Sequence, residues 1–148
     1  MLGTRLADRI LAFDPETGHI RCEAGLCLAE LNRLFLPRGW FTPVTPGTKF
    51  VTVGGMVASD VHGKNHHVAG CFGEHVTALA LRLADDAVVT CSPTELPDLF
   101  DATLGGMGLT GHILEVAFRM ERVPSAWIAG ESWRVPGIDA FLEALEDG

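Results

Sequence analysis

Eleven of the 17 glycines in this 148-residue chain fall between Gly39 and Gly111, and that crowding limits the fold more than any other feature. Glycine is placed where backbone turns left-handed or runs close to another group, and it weakens helices and strands from within. The middle of the chain is therefore expected to be loops wrapped around short elements. Val53-Gly54-Gly55-Met56-Val57-Ala58-Ser59-Asp60-Val61-His62-Gly63 is small, apolar and bounded by glycines, which reads as a tight turn opening a short helix.

The flanks are more regular. Ile10–Phe13 and His19–Cys22 are apolar runs separated by Asp14-Pro15-Glu16-Thr17-Gly18, a β-hairpin pattern. Leu28, Leu31, Leu34 and Phe35 recur at helical spacing before Pro37 and Gly39, so a helix over about 27–36 is expected. Trp40 to Thr52, with Pro43, Pro46 and Gly47, has no period and reads as a structured loop; residues 64–75 are also loop-like. Val76–Leu83 and Ala87–Cys91 read as strands around an Asp85-Asp86 turn. Ser92-Pro93-Thr94-Glu95 reads as a helix start, with Leu96, Leu99, Phe100 and Leu104 as its apolar face and Gly105-Gly106 as its stop. From His112 to Glu121 the even positions Leu114, Val116, Phe118 and Met120 are apolar, the mark of a half-buried strand. Ile138, Phe141, Leu142 and Leu145 suggest a last amphipathic helix. Hairpins and single strands interrupted by helices give an α+β class, not a doubly wound parallel sheet.

With 47% hydrophobic and 20% charged residues, the chain has the composition of one globular domain or a piece of one. A net charge of −8 excludes a nucleic-acid surface, which needs basic residues to neutralise phosphates. It does not exclude a phosphate-bearing cofactor, which backbone N–H groups can hold. Cys22, Cys27, Cys71 and Cys91 form no CxxC pair, so buried free thiols in a reducing cytoplasm are expected. Neither a signal peptide nor a membrane span is found.

Paired glycines before a short helix suit an anion and suit equally a plain turn and cap; the feature alone leaves both open. Neither Gly-x-Gly-x-x-Gly nor the phosphate-loop pattern occurs, so a dinucleotide would be held outside those geometries. His62, His66 and His67 lie close in sequence, but no carboxylate or thiolate completes a metal set. No metal is expected, and His66 and His67 read as loop-structuring residues. His19, His75 and His112 read as surface or structural. Ser92 and Asp101 form no hydrolase constellation.

The run from Val51 to Gly73, centred on Ser59-Asp60-Val61-His62-Gly63-Lys64-Asn65-His66-His67, resembles the signature of PCMH-type FAD-linked oxidases, the vanillyl-alcohol-oxidase superfamily, in its decaprenylphosphoryl-ribose-oxidising branch. Leu104-Gly105-Gly106-Met107-Gly108-Leu109-Thr110-Gly111 is similar to the family's second glycine motif. The resemblance spans residues 10–122 and implies non-covalent FAD. It implies that Gly47, Thr48 and the segment Thr52, Val53, Gly54 and Gly55 wrap the cofactor's pyrophosphate and ribose. Ser59, Asp60, Val61 and His62 would line the flavin, Gly63 and Asn65 would form the turn beside it, and Ile113 would give a main-chain contact. His62 and Lys64 would face the substrate pocket, where a cation can balance negative charge; without the family, Lys64 reads as a solvated loop lysine.

The implied activity is oxidation of an alcohol on a sugar-like substrate by hydride transfer to flavin, with a second acceptor reoxidising it. A polyprenyl-phosphate pentose is the first substrate class and an aldonolactone or other polyol the second. No catalytic base is assigned. Residues 1–123 are expected to be part of the FAD-binding domain, its second subdomain, and residues 124–148 the start of the substrate-domain region. The family's N-terminal subdomain, with an arginine–glycine–serine–tyrosine loop, and its substrate domain are expected to be missing, leaving the isolated chain inactive. The competing expectation is an interaction module that does not hold FAD alone. A core face left open by missing parts predicts self-association.

Overall fold

The computed structural model describes residues 6–146, and its first two strands follow from turn chemistry. β1 (Ile10–Phe13) and β2 (His19–Glu23) pair antiparallel. Asp14 organises the turn between them: its carboxylate accepts from the Glu16 N–H at 2.9 Å and the Thr17 hydroxyl at 2.6 Å. Gly18, at φ +73°, then donates its N–H to the Asp14 carbonyl at 2.9 Å. A side chain there would be strained, so the residue after this aspartate-led turn has to be glycine.

The chain continues through α1 (Leu28–Phe35), a 3₁₀ turn at Leu36–Arg38, and β3 (Trp40–Phe41). After the loop come α2 (Val53–Ala58) and α3 (His66–Ala69), then a 3₁₀ turn at Phe72–His75. β4 (Val76–Arg82), β5 (Val88–Cys91), α4 (Pro97–Thr103), β6 (His112–Arg119), β7 (Glu121–Arg122) and α5 (Ile138–Glu146) complete it. Five strands form an antiparallel sheet in the order β1-β2-β6-β4-β5, and β3 pairs with β7 in a separate ribbon. The α+β class is as the sequence implied.

One face of the sheet carries Ile20, Cys22, Val76, Leu79, Leu81, Val116 and Phe118, all buried in one cluster with Leu31 of α1, Met56 and Val57 of α2, and Phe72. Phe72 meets Phe118 edge-on at 5.2 Å. Each such side chain contributes about 1.5–3 kcal/mol on leaving water, so this layer is what fixes α2 over β6. The opposite face carries charge: Arg21 lies 3.8 Å from Glu115, both partly exposed, a pair of little energetic weight.

Four expectations need correction. Leu114 is not an inward residue of a simple alternation. Ala80 opposes Glu115 while Leu81 opposes Ile113, so Leu114 is the extra residue of a bulge, and it is Ile113 that is buried. Ser92–Glu95 does not begin a helix. Its hydroxyl accepts from the Thr94 and Glu95 N–H groups and closes a local turn, Leu96 turns left-handed at φ +49°, and α4 starts at Pro97, whose missing N–H costs nothing at a helix start. Residues 64–75 are not all loop, since α3 and the following 3₁₀ turn lie within them. Of the four free cysteines, Cys22 and Cys91 are buried and Cys27 and Cys71 only half-buried.

Candidate cofactor site

The α2 N-terminus is closed to an outside anion. The N–H of Val53 donates to the Leu26 carbonyl and that of Gly54 to the Ala24 carbonyl, both at 2.8 Å. The Gly55 N–H donates to the Thr52 hydroxyl at 3.1 Å, and that of Met56 to the Thr52 carbonyl at 2.9 Å. The N–H groups of Val53, Gly54 and Gly55, which a helix start normally leaves free, are therefore used inside the chain, and Met56 makes the first regular helix bond. Gly54 is there for the same reason: a Cβ would lie 2.7 Å from that of Ala24. Of the two readings the paired glycines left open, the turn and cap describes this helix start.

What α2 does toward a site happens at its other end. Ser59 caps it, and Asp60 turns left-handed at φ +39°. The Asp60 Oδ1 accepts the Gly73 N–H at 2.7 Å, and Phe72 donates its N–H to the Val61 carbonyl at 2.9 Å. The second glycine motif closes from the far side. Gly105 donates to the Val57 carbonyl at 3.0 Å and Met107 to the Ala58 carbonyl at 2.8 Å. On the near side, a Cβ on Gly63 would sit 3.0 Å from the Thr45 carbonyl oxygen, while the Asn65 amide donates to the Pro43 carbonyl at 3.0 Å. Three loops, 43–48, 59–65 and 104–108, are thus stitched into one continuous lip. Along it Gly47, Thr48, Gly55, Ser59, His62, Lys64, Asn65, Gly105, Met107 and Gly108 are exposed.

The first loop opens onto a groove of about 420 Å³ lined by Leu28, Asn32, Phe41, Thr45, Gly47 and Phe50, among others. A Cβ on Gly47 would meet nothing within 4 Å. On the groove wall the Asn32 Oδ1 is buried without a hydrogen-bond partner. A buried acceptor left unpaired costs about 1–3 kcal/mol, and a groove that keeps one suits a ligand that brings a donor. A second, apolar cavity of about 320 Å³ lies between Glu131–Val135 and α5 and includes none of the lip residues.

His62, Lys64, His66 and His67 are exposed along the 59–65 side of the lip, and the exposed Lys49 follows its first loop. The His62 and His66 rings lie 5.6 Å apart and those of His66 and His67 6.2 Å. Among the described residues no group of three histidine, cysteine, aspartate or glutamate side chains is placed to hold a metal ion. Cys71, bridged to His62 backbone to backbone, has its thiol pushed up by desolvation and then by the nearby Asp60 and Glu74. That thiol stays protonated at neutral pH.

The structure brings most of the sequence-derived residues onto the lip and leaves the rest inside. With Gly63, packed against Thr45, the buried ones number four: Val53, Gly54, Gly63 and Ile113. Ile113 lies in the central strand β6 opposite Leu81. The sequence reading held Gly105 and Met107 only as part of the second glycine motif and gave no site role to Pro43 or Thr45, which complete the lip. Met107 is at φ +53° and Gly105 at φ +71°, and the glycine spacing around them was the available signal.

Comparison with known proteins gives a consistent outcome. A family described as FAD binding domain matches residues 1–92. Decaprenylphosphoryl-beta-D-ribose oxidase of Mycolicibacterium smegmatis is 39% identical over 142 residues, covering 95% of this chain and 31% of that protein. An uncharacterized protein in the mprA 5' region of Streptomyces coelicolor is 42% identical over 122 residues, covering 82% of this chain and 33% of that one. Delta(24)-sterol reductase of Homo sapiens is 32% identical over 111 residues, covering 75% and 22%. The chain therefore spans about a third of the length of the first two relatives.

Proposed function

The chain belongs to the FAD-binding domain family, as an α+β unit of the PCMH-type FAD-linked oxidases, and from that premise we propose that it forms one wall of the FAD site of a flavin-dependent oxidoreductase. The observation that carries the proposal is the groove beside Gly47, open in front of the glycine and holding the unpartnered Asn32 oxygen. These features fit a non-covalently held dinucleotide, which offers amino and hydroxyl donors and needs close backbone.

In this reading Gly47, Thr48, Gly55, Ser59 and the backbone of Asp60, Val61 and His62 approach the cofactor, and the buried Gly63 shapes the turn behind them. Thr52, Val53, Gly54, Asn65 and Ile113 act from behind by holding the wall in shape, because their polar groups or side chains are engaged within the chain. His62 and Lys64 face the substrate side. Bound there, FAD supplies a two-electron acceptor for hydride from an alcohol carbon. Lys64 places a positive charge where negative charge gathers on substrate or cofactor, and the exposed His62 imidazole can hold or pass a proton at a ring nitrogen.

For the substrate we favour a sugar-like alcohol, a polyprenyl-phosphate pentose first, on the name of the Mycolicibacterium relative. The human relative is named for a sterol, so the shared stretch does not by itself fix the substrate. We read residues 1–123 as part of the FAD domain and 124–148 as the start of the following region. In support, residues 124–137 carry no helix or strand, and α5 leaves Ile138, Phe141, Leu142 and Leu145 exposed. Among the described residues no helix is long and apolar enough to cross a membrane. Free thiols suit a reducing cytoplasm.

The test is a titration of FAD with the purified chain, followed by flavin fluorescence. Saturable quenching is expected. Fluorescence that stays that of free FAD at every protein concentration would return the chain to the interaction-module reading.

A further inference from the structure

Asp60 sits where the 59–65 loop meets the Phe72–His75 turn and Gly105, and its carboxylate is turned toward the chain. Its Oδ1 holds the Gly73 N–H at 2.7 Å, and a Cβ on Gly73 would stand 2.8 Å from that same oxygen. Gly105 packs so near that a Cβ there would lie 3.3 Å from the Asp60 Cβ. Both neighbours are glycines: a Cβ on Gly73 would push the carboxylate off its donor, and Gly105 is at φ +71°, where a side chain is strained. The left-handed φ of +39° is what aims the carboxylate back toward Gly73, and aspartate is among the few residues that tolerate that region.

We propose that Asp60 is a positioning residue: its carboxylate clamps the Ser59–Gly63 turn to the Phe72–His75 turn beside Gly105 and does not itself bind the cofactor. The consequence for FAD rests on the reading of the lip given above. Without this acceptor the partly buried Gly73 N–H is left unpaired, so its loss loosens the turn that carries His62.

Two variants of the full chain separate the roles. Asp60→Gly removes the carboxylate and relieves the left-handed backbone but also frees the turn, so its loss is read against Asp60→Asn. Asp60→Asn keeps an acceptor oxygen and removes the charge. Amide exchange at Gly73, read without FAD, should accelerate at least about tenfold in Asp60→Gly and change by less than about threefold in Asp60→Asn. FAD affinity should follow the same order. Unchanged Gly73 exchange in Asp60→Gly would overturn the clamp. So would an Asp60→Asn variant that protects Gly73 but loses FAD as fully as Asp60→Gly, because the charge would then act on the cofactor directly. A wild-type chain that binds no FAD would sink the cofactor reading, and the exchange data would still decide the clamp.

Discussion

Gly54 and Gly47 come from the same glycine-rich stretch and do opposite things. Gly54 is buried, its N–H is bonded to Ala24, and a Cβ there would strike the Ala24 methyl. Gly47 is exposed, and a Cβ there would meet nothing. The first is glycine because the chain packs against itself. The second stands before open space, and this fold gives no packing reason for it. The same division holds more widely between the layer under α2, built on Ile20, Cys22, Val116 and Phe118, and the lip above it. Substitutions in the layer should cost stability; substitutions on the lip should cost binding.

The largest expected effect lies in the layer. Burial, with Glu115 and Glu23 adding to it, pushes the Cys22 thiol from its ordinary 9.0 up to about 12. The unfolded chain gives up this proton near its ordinary value while the folded one keeps it, so the contribution is whole below pH 9 and is lost as pH rises toward 12. At about 1.4 kcal/mol per unit, the alkaline loss approaches about 4 kcal/mol. Denaturant melts from pH 8 upward should show wild type weakening and Cys22→Val declining much less; parallel curves would mean that Cys22 is not so buried.

Gly54→Ala comes next, with a methyl forced against Ala24 and an expected cost of about 1–3 kcal/mol in the melt. A variant as stable as wild type would erase the distinction between the two glycines. Thr52→Ala removes the hydroxyl that caps Gly55 and should cost about 1 kcal/mol.

The smallest effect belongs to the Arg9–Glu23 pair, at 2.7 Å. The hydrogen bonds from Arg9 hold the Glu23 carboxyl below its ordinary range, so its contribution is present above that range and fades as pH falls through the lowered value. Arg9 faces solvent while the Glu23 side chain is largely covered, so Glu23→Gln should shift the neutral-pH midpoint modestly, and less in high salt.

Local chemistry was legible in the sequence and long-range packing was not. Asp14 through Gly18 announced the hairpin because everything the turn needs lies within those residues. Val116 and Phe118 announced β6 by alternation, and the alternation misled at Leu114 because a bulge depends on the partner strand β4. The Ser92 hydroxyl behaves as a capping group, yet it closes a turn that ends before α4, and Pro97 rather than Ser92 sets the helix start. β3 pairs with β7 through Trp40 and Arg122, a contact across most of the chain that no local pattern could show. For the site, the motif around His62 was visible as a resemblance. Which of its glycines faces the core and which faces the groove depended on where Ala24 and Thr45 lie in space.

The most direct test of the account is the FAD titration repeated on Gly47→Val, with its melting temperature measured alongside. The account predicts an unchanged melt and an affinity lower by about tenfold or more, since the new side chain enters the groove and not the core. Unchanged affinity at an unchanged melting temperature would contradict the claim that this lip is a wall of the FAD site.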